Sequence, residues 1–469
     1  MSISIEGVLV CLVLLALGWR LGSPAFIGLF AALPFGATAI GSIGGSTPLI
    51  FTTFEMLVVL VIFVYRDDFL TILGEQTSRV ILFLLLYVIA SALLLPRLFA
   101  GEIIVPGKMG EEWLAPVTKN YTQAGYFALG CATYFAFRTL LTKECNFALV
   151  RRGFFVFAVI NALLGTLELA GKVAGIPDVL APIRTAAYVI RTTESVGGFW
   201  RISGGFPEAS AFAAASIAAL AFCFSYWRTT GSRSACLLAV WLLVLIVLST
   251  STTAYVALCA IAVPIAASMA LSLSWDRLTT KDLLLASAAV IGLTTILAVY
   301  FLMPSRLDPM ITLLQDTVIN KANTQSGMER GYWNIMSLEA FYQSSGLGIG
   351  IGTSRASSWP IAVLAQLGII GSILLGILLF MLLRGLSGMK PLQRAGEIVT
   401  VSNAARAAGI ASMVAASLIS GFADPGAVFF ISLAVVVSSR AVLSAGVPGA
   451  IDSILPANTG GGLQEARAG

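Results

Sequence analysis

The chain has 469 residues, of which 58% are hydrophobic and only 11% charged, and its mean hydropathy is +0.93. Such a composition excludes a water-soluble globule and places the chain with polytopic membrane proteins. The formal charge of +5 is small for this length and suggests no nucleic-acid partner.

Apolar stretches of about 17 to 25 residues recur, the length that crosses a hydrocarbon core of about 30 Å at 1.5 Å per residue. The alternation of a transmembrane barrel is absent. The pattern predicts an all-α, polytopic transmembrane helix bundle of about 12–13 spans. They lie near 2–18, 24–41, 47–65, 80–98, 121–142, 153–174, 207–227, 235–250, 252–271, 283–303, 359–383, 403–421 and 424–445. Twelve fit as well as thirteen, because the Ser249–Thr253 junction is very short. Residues 1–445 read as one integral membrane domain and 446–469, rich in Gly, Pro and Ala, as a disordered tail.

Cytoplasmic connections carry the excess of Lys and Arg. Alternate short loops hold Arg20; Arg66 and Arg79; Arg138, Lys143, Arg151 and Arg152; Arg228 and Arg233; Arg277 and Lys281; and Arg384, Lys390 and Arg394. These face inward, with Arg440 leading into a cytoplasmic tail. Glu6 early and Arg20 after the first apolar run suit a retained span with an outward N-terminus better than a signal peptide. All six cysteines fall in spans or in an inner loop, so no disulfide framework is expected.

Two long outer loops, about 175–206 and 304–358, then carry unusual charge. Arg184, Arg191, Arg201, Arg306, Arg330 and Arg355, with Lys321, gather in and beside them, which suggests an anionic ligand. Short interfacial helices are expected in both. In the first loop Val179, Leu180, Ile183, Ala186 and Ile190 share a helical face, putting Arg184 and Arg191, seven apart, on one stripe. In the second, Leu307–Leu314 and Met328–Tyr342 read as amphipathic helices. Outward arginines also bind lipid phosphates, an alternative that stays open for Arg184, Arg191 and Arg306. The outer segment Phe99–Asn120 is polar and reads as irregular.

Three blocks carry candidate chemistry. Phe199–Phe212 contains Arg201, a Gly204–Gly205 pair and Pro207, and it leads into a span with Glu208 at its positive end. Glu208 is thereby favoured as an ionised carboxylate: an arginine partner, a cap or a proton acceptor. Ser326–Trp333 sets Arg330 and Trp333 three apart, on one face if helical; a Trp anchor beside a snorkelling Arg is the plainer reading. Gly346–Trp359 has glycine at every second position up to Gly350 and Gly352, followed by Arg355. Bare backbone amides there would admit a phosphate that Arg355 grips through two oxygens, although such glycines also serve close helix packing.

These blocks, their order and the surrounding spans, covering roughly Trp200–Phe380, resemble the bacterial O-antigen polymerase and ligase family, including exopolysaccharide polymerases. One element departs: the Ser/Thr turn Leu248–Thr253 lacks the Arg often found there, and is expected to satisfy backbone at a helix end. The resemblance implies a glycosyltransferase in the bacterial inner (cytoplasmic) membrane, drawing glycan from a polyprenyl diphosphate carrier on the outer side. That reaction needs the diphosphate neutralised as it leaves and a base for the acceptor hydroxyl. Arginine grips phosphate without a metal, and no Asp-x-Asp pair occurs in the outer loops, so neither metal nor cofactor is expected. The chain has no histidine, whereas ligases of the family use one in the second outer loop. A polymerase is therefore favoured, with Arg201, Arg330 and Arg355 on diphosphate or acceptor, and Glu208 as base or arginine-orienting group. Arg184, Arg191, Trp333, Gly350 and Gly352 are the candidate substrate contacts. Lipids and a chain-length regulator or export proteins are the candidate partners.

A ligase and a lipid-linked-glycan flippase are the alternatives. A transporter would use buried acids, here Glu55 in the third span and Glu168 in the sixth, but charge concentrated at one face disfavours it. The polymerase reading requires Arg201, Arg330 and Arg355 to share one hollow.

Overall fold

The computed structural model describes residues 2–42, 47–107, 110–143, 146–176, 178–186, 195–196, 199–274, 279–302, 315, 320–389 and 396–445. Its helices are α1 (Ile5–Leu21), α2 (Phe26–Ala32), α3 (Ile50–Val64), α4 (Arg66–Leu73), α5 (Gln76–Leu98), α6 (Thr118–Leu140), α7 (Phe147–Val173), α8 (Ala209–Thr230), α9 (Arg233–Leu248), α10 (Thr252–Ser274), α11 (Thr280–Leu302), α12 (Gln325–Gln343), α13 (Trp359–Arg384), α14 (Glu397–Ile419) and α15 (Ala427–Ser444). Three small antiparallel pairs join them: β1 (Ser2–Ile3) with β2 (Gly41–Ser42), β3 (Ile104–Pro106) with β4 (Glu111–Trp113), and β5 (Ser195–Val196) with β6 (Phe199–Trp200). Among the described residues six helices, α5, α7, α8, α13, α14 and α15, are long and apolar enough to cross a membrane. The chain is an all-α, multi-pass membrane bundle.

Lipid tails are as apolar as leucine, so packing rather than water exclusion must join the helices. Small residues permit it. Gly153 on α7 leaves room for the Phe30 ring, and Gly130 on α6 for Phe430. Phe154 stacks on Phe222 with ring centroids 4.3 Å apart, tying α7 to α8. Ala404, Ala405 and Ala408 are fully buried on α14, which packs along α8.

Cross-links between loops sort the bundle into two ends. At one end Arg138 pairs with Glu75, Arg151 with Glu397 at 2.9 Å, and Arg228 with Asp282. At the other, the Ala37 amide donates to the Gly205 carbonyl (2.8 Å), Asn120 to Ile351 (2.7 Å), and the Trp359 indole to Ala423 (3.0 Å). The second end gathers the segments 33–42, 47–49, 99–107, 110–117, 178–186, 199–208, 344–358 and 420–426, and is called the loop end below.

Three expectations are corrected. The apolar run 24–41 is not one helix: α2 has seven residues, about 10 Å of rise, and the chain then leaves the helix at Leu33 and continues in turns to Thr38. Pro34 and Gly36 break the helix, and the freed backbone bonds outward, with the Ala39 amide donating to Thr185 Oγ1 at 2.9 Å. Unwound backbone is tolerated at such depth only when protein encloses it, and Ala37, Thr38 and Ala39 are fully buried. Helix does not run through Arg184 either. A single 3-10 turn, Ala181–Ile183, precedes it, and Arg184 itself has φ −97° and ψ 71°. Segment Phe99–Asn120 is not irregular throughout, because Ile103, Val105 and Leu114 bury beneath α12 and so impose the β3–β4 hairpin.

Helix α12 spans the expected Met328–Tyr342. Met328, Ile335 and Tyr342, spaced by seven, leave an exposed apolar stripe on it. At the Ser/Thr turn, Ser249 Oγ donates to the Ile246 carbonyl (2.7 Å), as a helix-end role requires, while Thr250 adopts φ 47° and buries its hydroxyl without a partner among the described residues. Arg191, Arg306, the 307–314 stretch and the 446–469 tail lie outside the described residues, as does the Lys321 side chain.

Candidate functional site

The Arg201–Glu208 loop is fixed from beneath by a buried charge cluster. Glu168, 0% exposed near the loop end of α7, pairs with Lys172 one turn later and with Arg184, each at 3.0 Å. It also accepts from the Ser203 amide (2.7 Å) and the Gly204 amide. Lys172 donates in turn to the Arg201 carbonyl, and Arg184 to the Gly204 carbonyl at 2.7 Å. Each charged side chain of the cluster is ion-paired, with two cations sharing one carboxylate and Arg184 Nε left without a partner among the described residues. Arg184 therefore serves the protein's own carboxylate, and the lipid-phosphate reading of it is corrected: its side chain is 3% exposed. Glu168, named among a transporter's candidate acids, is the hub of this brace.

Beyond the brace the chain turns into α8. Glu208 is its N-cap residue, and its carboxylate accepts from Ser210 rather than from an arginine. Two residues earlier, Phe206 packs on the bare face of Gly36. Arg201 is half-buried on the same loop.

Arg330, Trp333 and Arg355 come together. The guanidinium of Arg355 lies 4.0 Å over the Trp333 ring, a cation–π contact that holds an exposed arginine flat. The next residue of α12 secures it, because Asn334 Oδ1 accepts from the Ser357 amide at 2.8 Å. Arg330 reaches 3.5 Å from the Leu418 carbonyl at the end of α14, and the Arg355 stem runs beside Gly421. Lys119 stands over the Phe422 ring at 4.6 Å. Cations thus surround the segment 418–422.

Gly350 and Gly352 sit elsewhere, and the expectation of bare amides is corrected. Helix α13 breaks at Gly368 (φ 61°, ψ −162°), and the segment 346–352 lies beside the break. Ile349 and Gly350 amides donate to the carbonyls of Ala365 (2.9 Å) and Gln366 (3.0 Å), and the Gly352 amide to Gln366 Oε1 (3.2 Å). Each is spent inside the protein. The glycines are required by positive φ and close approach: a Cβ at Gly350 would lie 2.7 Å from the Pro96 ring, and one at Gly352 2.8 Å from the Lys119 carbonyl. The packing alternative is the one the geometry favours.

Between these parts lies a cavity of about 920 Å³. Phe206 and the α8 residues Ala211, Ala214 and Ala218 form one wall; Ser412 and Ala416 of α14, with the segment 419–428, form another. The unwound stretch at Leu33 and Gly36 closes a third side, with Thr52 and Glu55 of α3 and Gln123 and Tyr126 of α6. A second hollow of about 470 Å³ between α3 and α6 is almost wholly apolar and shares Thr52 and Tyr126 with the first. Arg201, Arg330 and Arg355 are not themselves in the lining, so the expectation that the three share one hollow is not met. They stand on, or are bound to, the segments that supply it: Arg201 through Phe206, the other two through Leu418 and Gly421.

The cavity contains two carboxylates, Glu55 and Asp424. Asp424 accepts from the Gly426 amide at 2.9 Å, and its loop is held by Gln366, which donates to the Gly421 carbonyl (3.0 Å) and accepts from the Ala423 amide (3.3 Å). Burial pushes the Asp424 carboxyl above the usual carboxylate range, partly offset by that amide. Sequence reasoning missed Asp424. Placed at the first residue of the last apolar run, an acid followed by Pro425 and Gly426 reads as a helix start and carries no other signal.

The arrangement joins aromatic faces, two carboxyl groups and small side chains in a space the size of a small-molecule site, with cations on its border. No set of three or more Cys, Asp or Glu side chains gathers as metal ligands among the described residues. Comparison of the sequence with family models and with characterised proteins returned no match.

Proposed function

We propose that the protein is a membrane glycosyltransferase that polymerises polyprenyl-diphosphate-linked oligosaccharide repeat units at the outer face of the bacterial inner membrane, without a metal. The observation that carries this reading is the pair Arg330 and Arg355, anchored at Leu418 and Gly421 where α14 ends beside a cavity of about 920 Å³. One guanidinium over an indole ring and a second bound at a helix end, both beside a hollow, suit a leaving diphosphate, whose charge must be met as the glycosyl bond breaks. The apolar hollow between α3 and α6 offers a lipid tail a place next to that cavity. Trp333 orients Arg355, and Arg201 with Glu208 stands on the loop that supplies Phe206. Arg184 has a positioning role, holding that loop through Gly204 rather than contacting substrate.

A deletion strain tests the reading. Single repeats left on the carrier or cell surface are the expected result; long polymer accumulating on the carrier would assign a ligase instead. A transporter is the second reading, favoured by Glu55 and Asp424 in a cavity bordered by unwound backbone. Single units trapped inside the cell would select it.

A further inference from the structure

Three acids are deeply buried among the described helices, and two of them are compensated. Glu168 pairs with Lys172 and Arg184, and Asp282 with Arg228. Glu55 has neither hydrogen bond nor ion pair among the described residues, is 4% exposed, and lines the cavity. The nearby Asp424 carboxylate repels it. An intramembrane acid kept without a partner implies a ligand or a proton to be handled.

Asp424 faces the same space and is the better placed of the two. One of its oxygens takes the Gly426 amide, which leaves lone pairs for the cavity. It lies three residues beyond Gly421, against which the Arg355 stem rests, and six beyond Leu418, to which Arg330 binds. Tyr126, Phe206 and Phe422 supply ring faces in the same lining, which suit the C–H faces of a sugar. Glu208, in contrast, is engaged with Ser210 outside the lining.

We propose that Asp424 is the catalytic base, its carboxylate taking the proton from the hydroxyl of an acceptor sugar seated in this cavity. The assignment rests on the glycosyltransferase reading above. The acceptor oxygen forms a bond to the anomeric carbon of the donor glycan as the bond from that carbon to the diphosphate oxygen breaks. The diphosphate leaves with the electron pair as the polyprenyl diphosphate anion beside the arginines. The hydroxyl proton ends on Asp424 and passes to water as the product leaves.

Asp424→Asn is the discriminating variant, because its amide oxygen still accepts from Gly426 and keeps the turn. It is compared with Arg330→Ala and wild type in a deletion strain, with protein abundance in membranes measured alongside glycan length. Elongation is expected to fall on the order of 10²-fold or more at unchanged abundance, with partial recovery in Asp424→Glu. Unchanged elongation in Asp424→Asn together with loss in Arg330→Ala overturns the base and leaves the transferase standing. Unchanged elongation in both overturns the transferase as well. Should the Asn variant not accumulate, wild-type membranes are treated with dicyclohexylcarbodiimide, which attacks protonated carboxyls in apolar surroundings. Elongation lost in step with modification of Asp424 supports the assignment; any other pattern overturns it.

Discussion

Glu168 and Glu55 are both acids deep in the same bundle, and their surroundings are opposite. Glu168 receives two cations and two backbone amides, so its charge is spent on structure. Glu55 receives nothing from the described residues and opens onto a cavity with a second acid nearby. The contrast teaches that depth in a membrane bundle does not mark function. Lack of compensation beside open space is what sets Glu55 apart from Glu168.

Mutation can break the comparison at either acid, and the largest effect belongs to the brace. Glu168→Gln leaves Lys172 and Arg184 buried without their counter-charge, at a cost of about 3–5 kcal/mol. Folded protein recovered from membranes should drop steeply, and a variant with wild-type melting temperature would show the cluster to be dispensable. Next come the arginines of the border. Arg330→Ala and Arg355→Ala should each lower chain elongation on the order of 10²-fold, as for loss of a charge-stabilising donor, while folded protein stays plentiful. If both strains build polymer of normal length, the anion-binding role is refuted.

Gly350→Ala sharpens the same division between structure and chemistry. Its φ of +96° and the crowding by Pro96 predict a loss of stability of roughly 1–3 kcal/mol. The rate per folded molecule should not change, and a specific activity defect at full stability would return this glycine to the site. The smallest expected effect on stability is at Glu55. Glu55→Gln removes an acid without a partner among the described residues, so the melting temperature of the purified protein should hold or rise; a marked fall would mean that Glu55 has a structural partner after all.

These regions also differ in how far the sequence alone disclosed them. Helix α12 was legible, because Met328–Tyr342 carries an amphipathic period, and so was the neighbourhood of Arg330, Trp333 and Arg355. The stacking of Arg355 on Trp333 was not, since it depends on Asn334 fixing a residue 23 positions away. Composition could not separate a spanning helix from the buried turns after α2, for both are apolar. Nor could it tell Glu168 from Glu55, because the partners of a buried acid come from other elements. The glycine run drew attention to a phosphate cradle, yet its amides satisfy the carbonyls and the side chain freed where α13 breaks at Gly368.

The central claim, that arginines bordering this cavity serve glycan transfer from a lipid diphosphate, is most directly tested by reconstitution. Purified protein in lipid nanodiscs would be given polyprenyl-diphosphate-linked repeats extracted from the deletion strain, with chelator present, and both glycan length and freed polyprenyl diphosphate followed. The account predicts chain growth matched one-for-one by diphosphate release, lost in Arg330→Ala and Arg355→Ala. Repeats that stay single with the wild-type protein, or growth that the two variants sustain at the wild-type rate, would contradict it.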